Sequence, residues 1–231
     1  MKYTKQWIAV LTAVMLLALF GSCHRQASPV PVPPPTPLSI TPAPTEPSNT
    51  LILVNAWNPI PETFGVELRQ LDNGQTVAAE CYDALTLMLT DCHAAGHHTD
   101  VCSGYRNIVL QTQLYENKVS RLTQDGYSRR DAERLAATEV ASPGTSEHHT
   151  GLAVDIVDAA NYNLDETQAQ MPAQQWLMEN CHRYGFILRY PKDKSNITGI
   201  IYEPWHYRYV GSDAAWVIHE QGLCLEEYLE K

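Results

Sequence analysis

Nine of the chain's fifteen prolines fall between Pro29 and Pro47, and that clustering decides how much of the chain can fold. From His24 to Thr50 the sequence is Pro, Ser, Thr and Ala with almost no large apolar side chain. Such a stretch cannot bury enough surface to offset its ordering entropy, and its prolines favour an extended tether. Residues 24–50 are therefore expected to be a disordered linker, and residues 51–231 a single folded domain, a length that suits one hydrophobic core. No internal repeat divides that domain.

The segment before the linker has a different character. Residues 1–23 carry Lys2 and Lys5, no acidic side chain, and a 14-residue apolar run from Trp7 to Phe20. The run is short for a transmembrane helix, which needs about 20 apolar residues, but it suits a secretory signal. It ends in Phe20-Gly21-Ser22-Cys23, small residues before a cysteine. This resembles a bacterial lipoprotein cleavage site, with Cys23 as the lipidated residue and Phe20 in place of the more usual Leu. The expectation is an extracytoplasmic domain anchored to the cell membrane by a lipid or signal anchor, or secreted.

The whole chain has a formal net charge of −10. Residues 1–50 hold Lys2, Lys5, Arg25 and only one acid, Glu46, so the domain alone stands at −12. A nucleic-acid binder needs a dense cationic face, and this balance excludes one.

Within the domain, Leu51–Val54 reads as a short strand, and about Ala78 to Ala95 as an amphipathic helix. That helix stripes Cys81, Leu85, Met88, Leu89 and Cys92, with Gly96 as its stop. A strand near Asp100–Ser103, a helix from about Asn107 to Leu122, and a helix opened by Ser128 and running to about Val140 follow. Gly151–Val157 alternates like a strand. A helix around Ala173–Tyr184, strands at Phe186–Tyr190 and His206–Val210, and short helices near Ala214–Glu220 and Leu225–Leu229 complete the pattern. Helices first and a sheet built late imply an α+β fold with a small, mainly antiparallel sheet.

Two segments concentrate chemistry: Ser146-Glu147-His148-His149-Thr150-Gly151-Leu152-Ala153-Val154-Asp155 and Glu203-Pro204-Trp205-His206. On a strand, Gly151, Ala153, Asp155 and Val157 share a face, leaving room beside the Asp155 carboxylate. Two histidines and one carboxylate make an open zinc set with a fourth position left for water. Spacing leaves both His148 and His149 as candidates for one of those ligands. A further carboxylate must handle the proton, and Glu203 is placed for it, three residues before His206. Trp205 and Tyr207 are expected to be core. The remaining histidines, His93, His97, His98, His182 and His219, are expected in loops or on the surface.

The ordered motifs Ser146-x-His148-x-x-Gly151-x-Ala153-x-Asp155 and Glu203-x-Trp205-His206 resemble the VanY-type D-alanyl-D-alanine carboxypeptidases, zinc peptidases of bacterial cell walls. Ser103-Gly104-Tyr105-Arg106 with Gln111 five residues on is similar to that family's upstream arginine motif. The segments Tyr184–Pro191, Thr198–Ile200, Arg208–Gly211 and Leu225–Leu229 also look like family segments. The likeness spans about Leu51 to the C-terminus and implies a Hedgehog/DD-peptidase-type fold with one Zn2+ per chain, bound by His148, Asp155 and His206. It implies Glu203 as general base and then acid, Arg106 as the cation steadying the oxyanion or substrate carbonyl, and Ser146, Gln111, Ser103 and Tyr105 as substrate contacts. The implied reaction removes the terminal D-alanine of a peptidoglycan stem peptide by a monomeric enzyme. Three rivals remain: an L,D-carboxypeptidase on tetrapeptide stems, a cross-link endopeptidase, and a non-catalytic zinc-fold wall-binding module. The last is disfavoured because Glu203 and Arg106 are both kept.

Five cysteines remain in the domain, an odd number that leaves at least one thiol unpaired. Cys81 and Cys92 lie eleven residues apart on one helix, about 16 Å along its axis, too far for a bond. Position suggests Cys92 with Cys102, and Cys181 with Cys224, as disulfides, with an all-reduced chain as the alternative.

Overall fold

The computed structural model describes residues 49–230. The apolar segment with its Cys23 and nearly all of the Pro-rich stretch lie outside the described residues. The element order is β1 (Leu68–Gln70), β2 (Thr76–Ala78), α1 (Ala79–Ala94), β3 (Thr99–Ser103), α2 (Ile108–Gln124), α3 (Arg129–Ala136) and β4 (Ala153–Asp158). Then come α4 (Pro172–Asn180), β5 (Phe186–Leu188), α5 (Ser195–Thr198), β6 (His206–Tyr209), α6 (Ser212–Gln221) and α7 (Leu225–Leu229). The fold is α+β, as expected: a four-stranded antiparallel sheet in the order β3-β4-β6-β5, with β1-β2 as a separate hairpin.

The sheet is held from one side by α1. Of the stripe anticipated from helical spacing, Cys81, Leu85, Met88 and Cys92 are fully buried and Leu89 is partly buried against them. They pack with Val154 and Ile156 of β4, Phe186 of β5, Tyr207 of β6 and Leu177 of α4. Burying side chains of this size contributes about 1.5–3 kcal/mol each. Every residue of β4 is buried, so this strand is covered on both faces. α2 and α3 form a small second unit around Val119, Ala132 and Ala136. Asn107 caps α2 by accepting from Leu110 N–H, 2.8 Å, and Ser128 caps α3 by accepting from Asp131 N–H, 3.2 Å. α3 ends at Ala136, short of the Val140 expected from sequence.

Two expectations change and one element is new. Leu51–Val54 is not a strand: a 3-10 turn covers Asn49–Leu51, and Leu51 and Leu53 pack beside α6. The carbonyls of Thr50 and Ile52 accept from Arg208 Nη2 at 2.7 and 2.8 Å, so a guanidinium takes the place of a ladder partner. The β1-β2 hairpin, turned by Asp72-Asn73-Gly74, went unpredicted because its three-residue strands carry too little alternation to read. Finally, none of the five described cysteines is in a disulfide. The thiols have local partners instead: Cys81 donates to Ala78 O, Cys102 donates to Asp155 O at 3.4 Å, and Cys224 caps α7. Burial pushes all five, Cys81, Cys92, Cys102, Cys181 and Cys224, up to about 11 or 12, which makes them poor nucleophiles.

Gly104 lies where β3 gives way to α2. A Cβ there would sit 2.2 Å from Thr76 O, whose carbonyl also accepts from Tyr105 N–H. Gly104→Ala is expected to cost about 1–3 kcal/mol through this clash, read as a lower midpoint in thermal or urea unfolding. Alkylation of the native protein followed by peptide mapping should label Cys102, which is half-buried, ahead of the four buried thiols, and all five after denaturation.

Candidate active site

His148 stands on a 3-10 turn, Glu147–Thr150, closed by Gly151 at φ 70°. That left-handed conformation favours glycine, and a Cβ at Gly151 would meet Ala78 N at 2.9 Å. Gly151 therefore ends the turn and does not share the strand face with Asp155, contrary to the alternation read from sequence; β4 begins at Ala153. Asp155 lies directly opposite His206 in the antiparallel register of β4 with β6. On the other edge of β4, a register shift between Val101 and Ser103 sets Ser103 beside Asp155. Irregularities of this kind re-aim the chain, and here Gly104-Tyr105-Arg106 follows at once.

The side chains of His148, Asp155 and His206 are buried, and their donor atoms lie within 4.8 Å of one another. His148 Nδ1 is 2.7 Å from Gly104 O and donates to it, which leaves Nε2 as a lone pair facing the cluster. Asp155 Oδ1 is buried without a hydrogen-bond partner, 3.2 Å from His206 Nδ1. Arg106 Nη2 donates to both His148 Nε2, at 2.7 Å, and Asp155 Oδ2, so a positive group already draws both acceptors to one point. Ligand atoms converging from two imidazoles and a carboxylate, with Asp155 Oδ1 buried and unpaired among them, fit a zinc ion. His149 is not available for that set: Nδ1 donates to Arg106 O at 2.7 Å and Nε2 accepts from Gly144 N–H at 3.1 Å.

Burial, reinforced by the Arg106 charge, lowers His148 to about 4, which keeps its ring neutral at pH 7. Burial would raise Asp155, but His148 and Arg106 hold it well below the usual carboxylate range. Glu203 sits outside the donor cluster, with Oε2 3.5 Å from His206 Nδ1. Burial pushes its carboxyl up to about 8, against the pull of His206 and with the Asp155 charge adding to the rise. A carboxyl so placed can both take and return a proton near neutral pH.

Arg106 is held on three sides. Its Nε donates to Ser103 Oγ at 2.8 Å and its Nη1 to Gln111 Oε1 at 3.2 Å. Gln111 is fully buried, and its amide NH2 donates to Ala141 O at 2.6 Å. Gln111 thus supports the arginine rather than meeting a substrate, which corrects the expectation drawn from the resemblance. Ser103, Tyr105 and Ser146 do line the cleft over the site, of about 1310 Å3. Its walls include Leu110 and Leu114 of α2 together with Tyr190, Ile200 and Tyr202. The expectation for Trp205 and Tyr207 holds, since both are buried. His182 departs from its expected surface position: it is buried and stacks on His219 with 3.7 Å between ring centroids.

One group of residues was not singled out from sequence. Glu147, Arg189 and Arg208 are fully buried, and Glu147 Oε1 accepts from Arg189 Nε at 2.8 Å and Arg208 Nη1 at 2.7 Å. Arg189 also forks onto Glu226 at 2.9 and 2.7 Å. Glu147 lay inside the histidine motif and the arginines inside apolar strands. Only the odd presence of two arginines in strands expected to be buried could have marked them.

Two imidazoles and one carboxylate at the floor of a cleft, with a separate buried carboxyl beside them, form the open three-ligand pattern of a mononuclear zinc hydrolase. The chain belongs to the VanY family, D-alanyl-D-alanine carboxypeptidase, which matches residues 74–212. It is 47% identical over 181 residues to a D-alanyl-D-alanine carboxypeptidase of Enterococcus faecalis, covering 78% of this chain and 65% of that protein. The chain thus spans just under two thirds of that relative's length. Among solved structures it is similar to a point mutant of the vancomycin resistance D,D-pentapeptidase VanY from the VanB-type cassette, in complex with Zn(II). That likeness has 46% identity and a TM-score of 0.73 over 79% of this chain and 99% of the other. It is equally similar to VanYB in complex with D-alanine-D-alanine, at 46% identity and a TM-score of 0.74 over 80% and 99% of the two chains.

Proposed function

We propose that this protein is a zinc-dependent D,D-carboxypeptidase that releases the terminal D-alanine of peptidoglycan stem peptides. The observation that carries this reading is the register of Asp155 opposite His206, which with His148 Nε2 gathers three converging donors beside the separate carboxyl of Glu203. The Zn(II) and D-alanine-D-alanine found with its structural relatives support the metal and the substrate class. A cleft of about 1310 Å3 exceeds the roughly 300–1,000 Å3 of ordinary small-ligand sites, which suits a peptide longer than the reacting pair.

In this reading His148, Asp155 and His206 hold the metal, which when bound supplies Lewis-acid polarisation and acidifies water. Glu203 takes the proton of the attacking water on its buried carboxylate and returns it to the leaving amine of D-alanine. Arg106, steadied by Ser103 and Gln111, moves its guanidinium from the donor cluster to the substrate carbonyl oxygen as negative charge develops there. Ser146 and Tyr105 contact the stem peptide along the cleft wall. The monomer is sufficient, because every group named comes from one chain. Residues 1–23 and 24–50 supply an extracytoplasmic anchor, with Cys23 lipidated, and a tether toward the wall, a placement supported by their composition alone.

Purified protein is expected to release D-alanine from a synthetic pentapeptide stem, and a chelator to abolish the release, as read by mass spectrometry. Cleavage confined to the tetrapeptide stem would replace this specificity with L,D activity, and no cleavage of either would overturn the enzymatic reading. Glu203→Gln should retain one zinc per chain while losing about 100- to 10,000-fold in turnover; full activity in that variant would remove Glu203 from the role. His206→Ala and His148→Ala should lose the metal and His149→Ala should keep it, as measured by elemental analysis after dialysis.

A further inference from the structure

The buried charges beneath the site are arranged asymmetrically about Glu147. Its Oε1 carries both guanidinium hydrogen bonds, from Arg189 and Arg208. Its Oε2 is buried and has no hydrogen-bond partner. Facing that oxygen at 3.8 Å is Nε2 of His206, which is also buried and also without a partner. Buried polar atoms left unpaired are costly and uncommon, and these two are complementary: an N–H on one side and a carboxylate lone pair on the other. The opposite ring nitrogen, Nδ1, lies 3.2 Å from Asp155 Oδ1 in the donor cluster and 3.5 Å from Oε2 of the neighbouring Glu203. Histidines that ligate metals generally donate their second ring N–H to a carboxylate or carbonyl, which fixes tautomer and ring orientation. His148 already does so through Gly104 O.

We propose that Glu147 is a positioning residue, an outer carboxylate whose Oε2 accepts the Nε2–H of His206 and so keeps the Nδ1 lone pair turned toward the zinc. The inference rests on His206 being a zinc ligand. Arg189 and Arg208 complete the device by occupying Oε1, which decides that Oε2 is the oxygen left for the imidazole. They also carry the constraint outward, Arg189 to Glu226 of α7 and Arg208 to the carbonyls of Thr50 and Ile52.

Glu147→Gln tests the device with little change of volume. The amide has one oxygen, which the two guanidiniums hold, so its NH2 faces His206 Nε2 and a donor meets a donor. The expected result is a zinc dissociation constant raised about 10- to 100-fold, measured by chelator competition. In the zinc-saturated parent, the His206 Nε2–H should appear in NMR as a downfield, slowly exchanging proton, assigned by its loss in His206→Ala, and it should disappear in Glu147→Gln. Glu147→Asp, which keeps an acceptor, should retain the proton and lose less affinity, and it serves if the amide variant does not fold. Glu226→Gln is the control: it disturbs the same ion network away from His206, and should lower the melting temperature while leaving zinc affinity within about twofold. Parent-like affinity with the proton retained in Glu147→Gln would overturn the proposal. Equal losses of affinity in Glu226→Gln and Glu147→Gln would overturn it as well, by reducing Glu147 to general support. Retention of zinc by His206→Ala would instead sink the ligand assignment beneath it.

Discussion

The pairing of β4 with β6 places Asp155 directly across from His206, and the rest of the site is arranged around that pair. Antiparallel strands have a side-chain period of two, so a one-residue slip would turn one member of the pair to the opposite face. The register is held by the core beneath, where Val154, Ile156 and Tyr207 pack against α1 and α4. It is bounded above by the turn that carries His148, closed at Gly151. The hydrophobic face and the chemical face of β4 are thus one constraint: alternate residues bury the helix contacts and present the carboxylate.

Placing so many charges out of water requires that each be answered. Arg106 meets Asp155 on the cleft side, while Arg189 and Arg208 meet Glu147 and Glu226 beneath the sheet. Such buried pairs contribute little net stability compared with apolar packing, and removing one partner is strongly destabilising. Their value here is geometric. The lower group links the segment before β1, through Thr50, Ile52 and Asn55, and the final helix to the strand bearing His206. Both ends of the domain are therefore tied to the site although neither enters it.

How much of this could be read beforehand differed from residue to residue. Most of the stripe of α1, the start of α2 near Asn107, the opening of α3 at Ser128, and most strand positions were legible because they follow from local spacing. Asp155, Glu203 and His206 were legible as a chemical set, since two compact segments held all the required groups. His148 against His149 was not, because neighbours in a turn differ only in what each ring nitrogen meets. The backbone partners of His149, Arg106 O and Gly144 N, come from distant parts of the chain. Gln111 shows the same limit: its spacing from Arg106 marked it as related, but only its burial reveals that it faces the arginine instead of the cleft. The missing disulfides have a similar cause, since each thiol's surroundings are set by packing.

The sequence by itself determined the clustering of the prolines ahead of residue 48 and the acidic balance of residues 51–231. It also determined the α+β class and the presence of two histidines, a carboxylate and a proton carrier. These are properties of composition and of periods a few residues long, which no distant contact can alter. Tertiary structure alone decided which histidine turns its lone pair inward, which carboxyl remains outside the donor cluster, and that Glu147 lies under His206. Those outcomes depend on atoms brought together from opposite ends of the chain, and a hydrogen bond a few ångströms long leaves no periodic trace in the sequence.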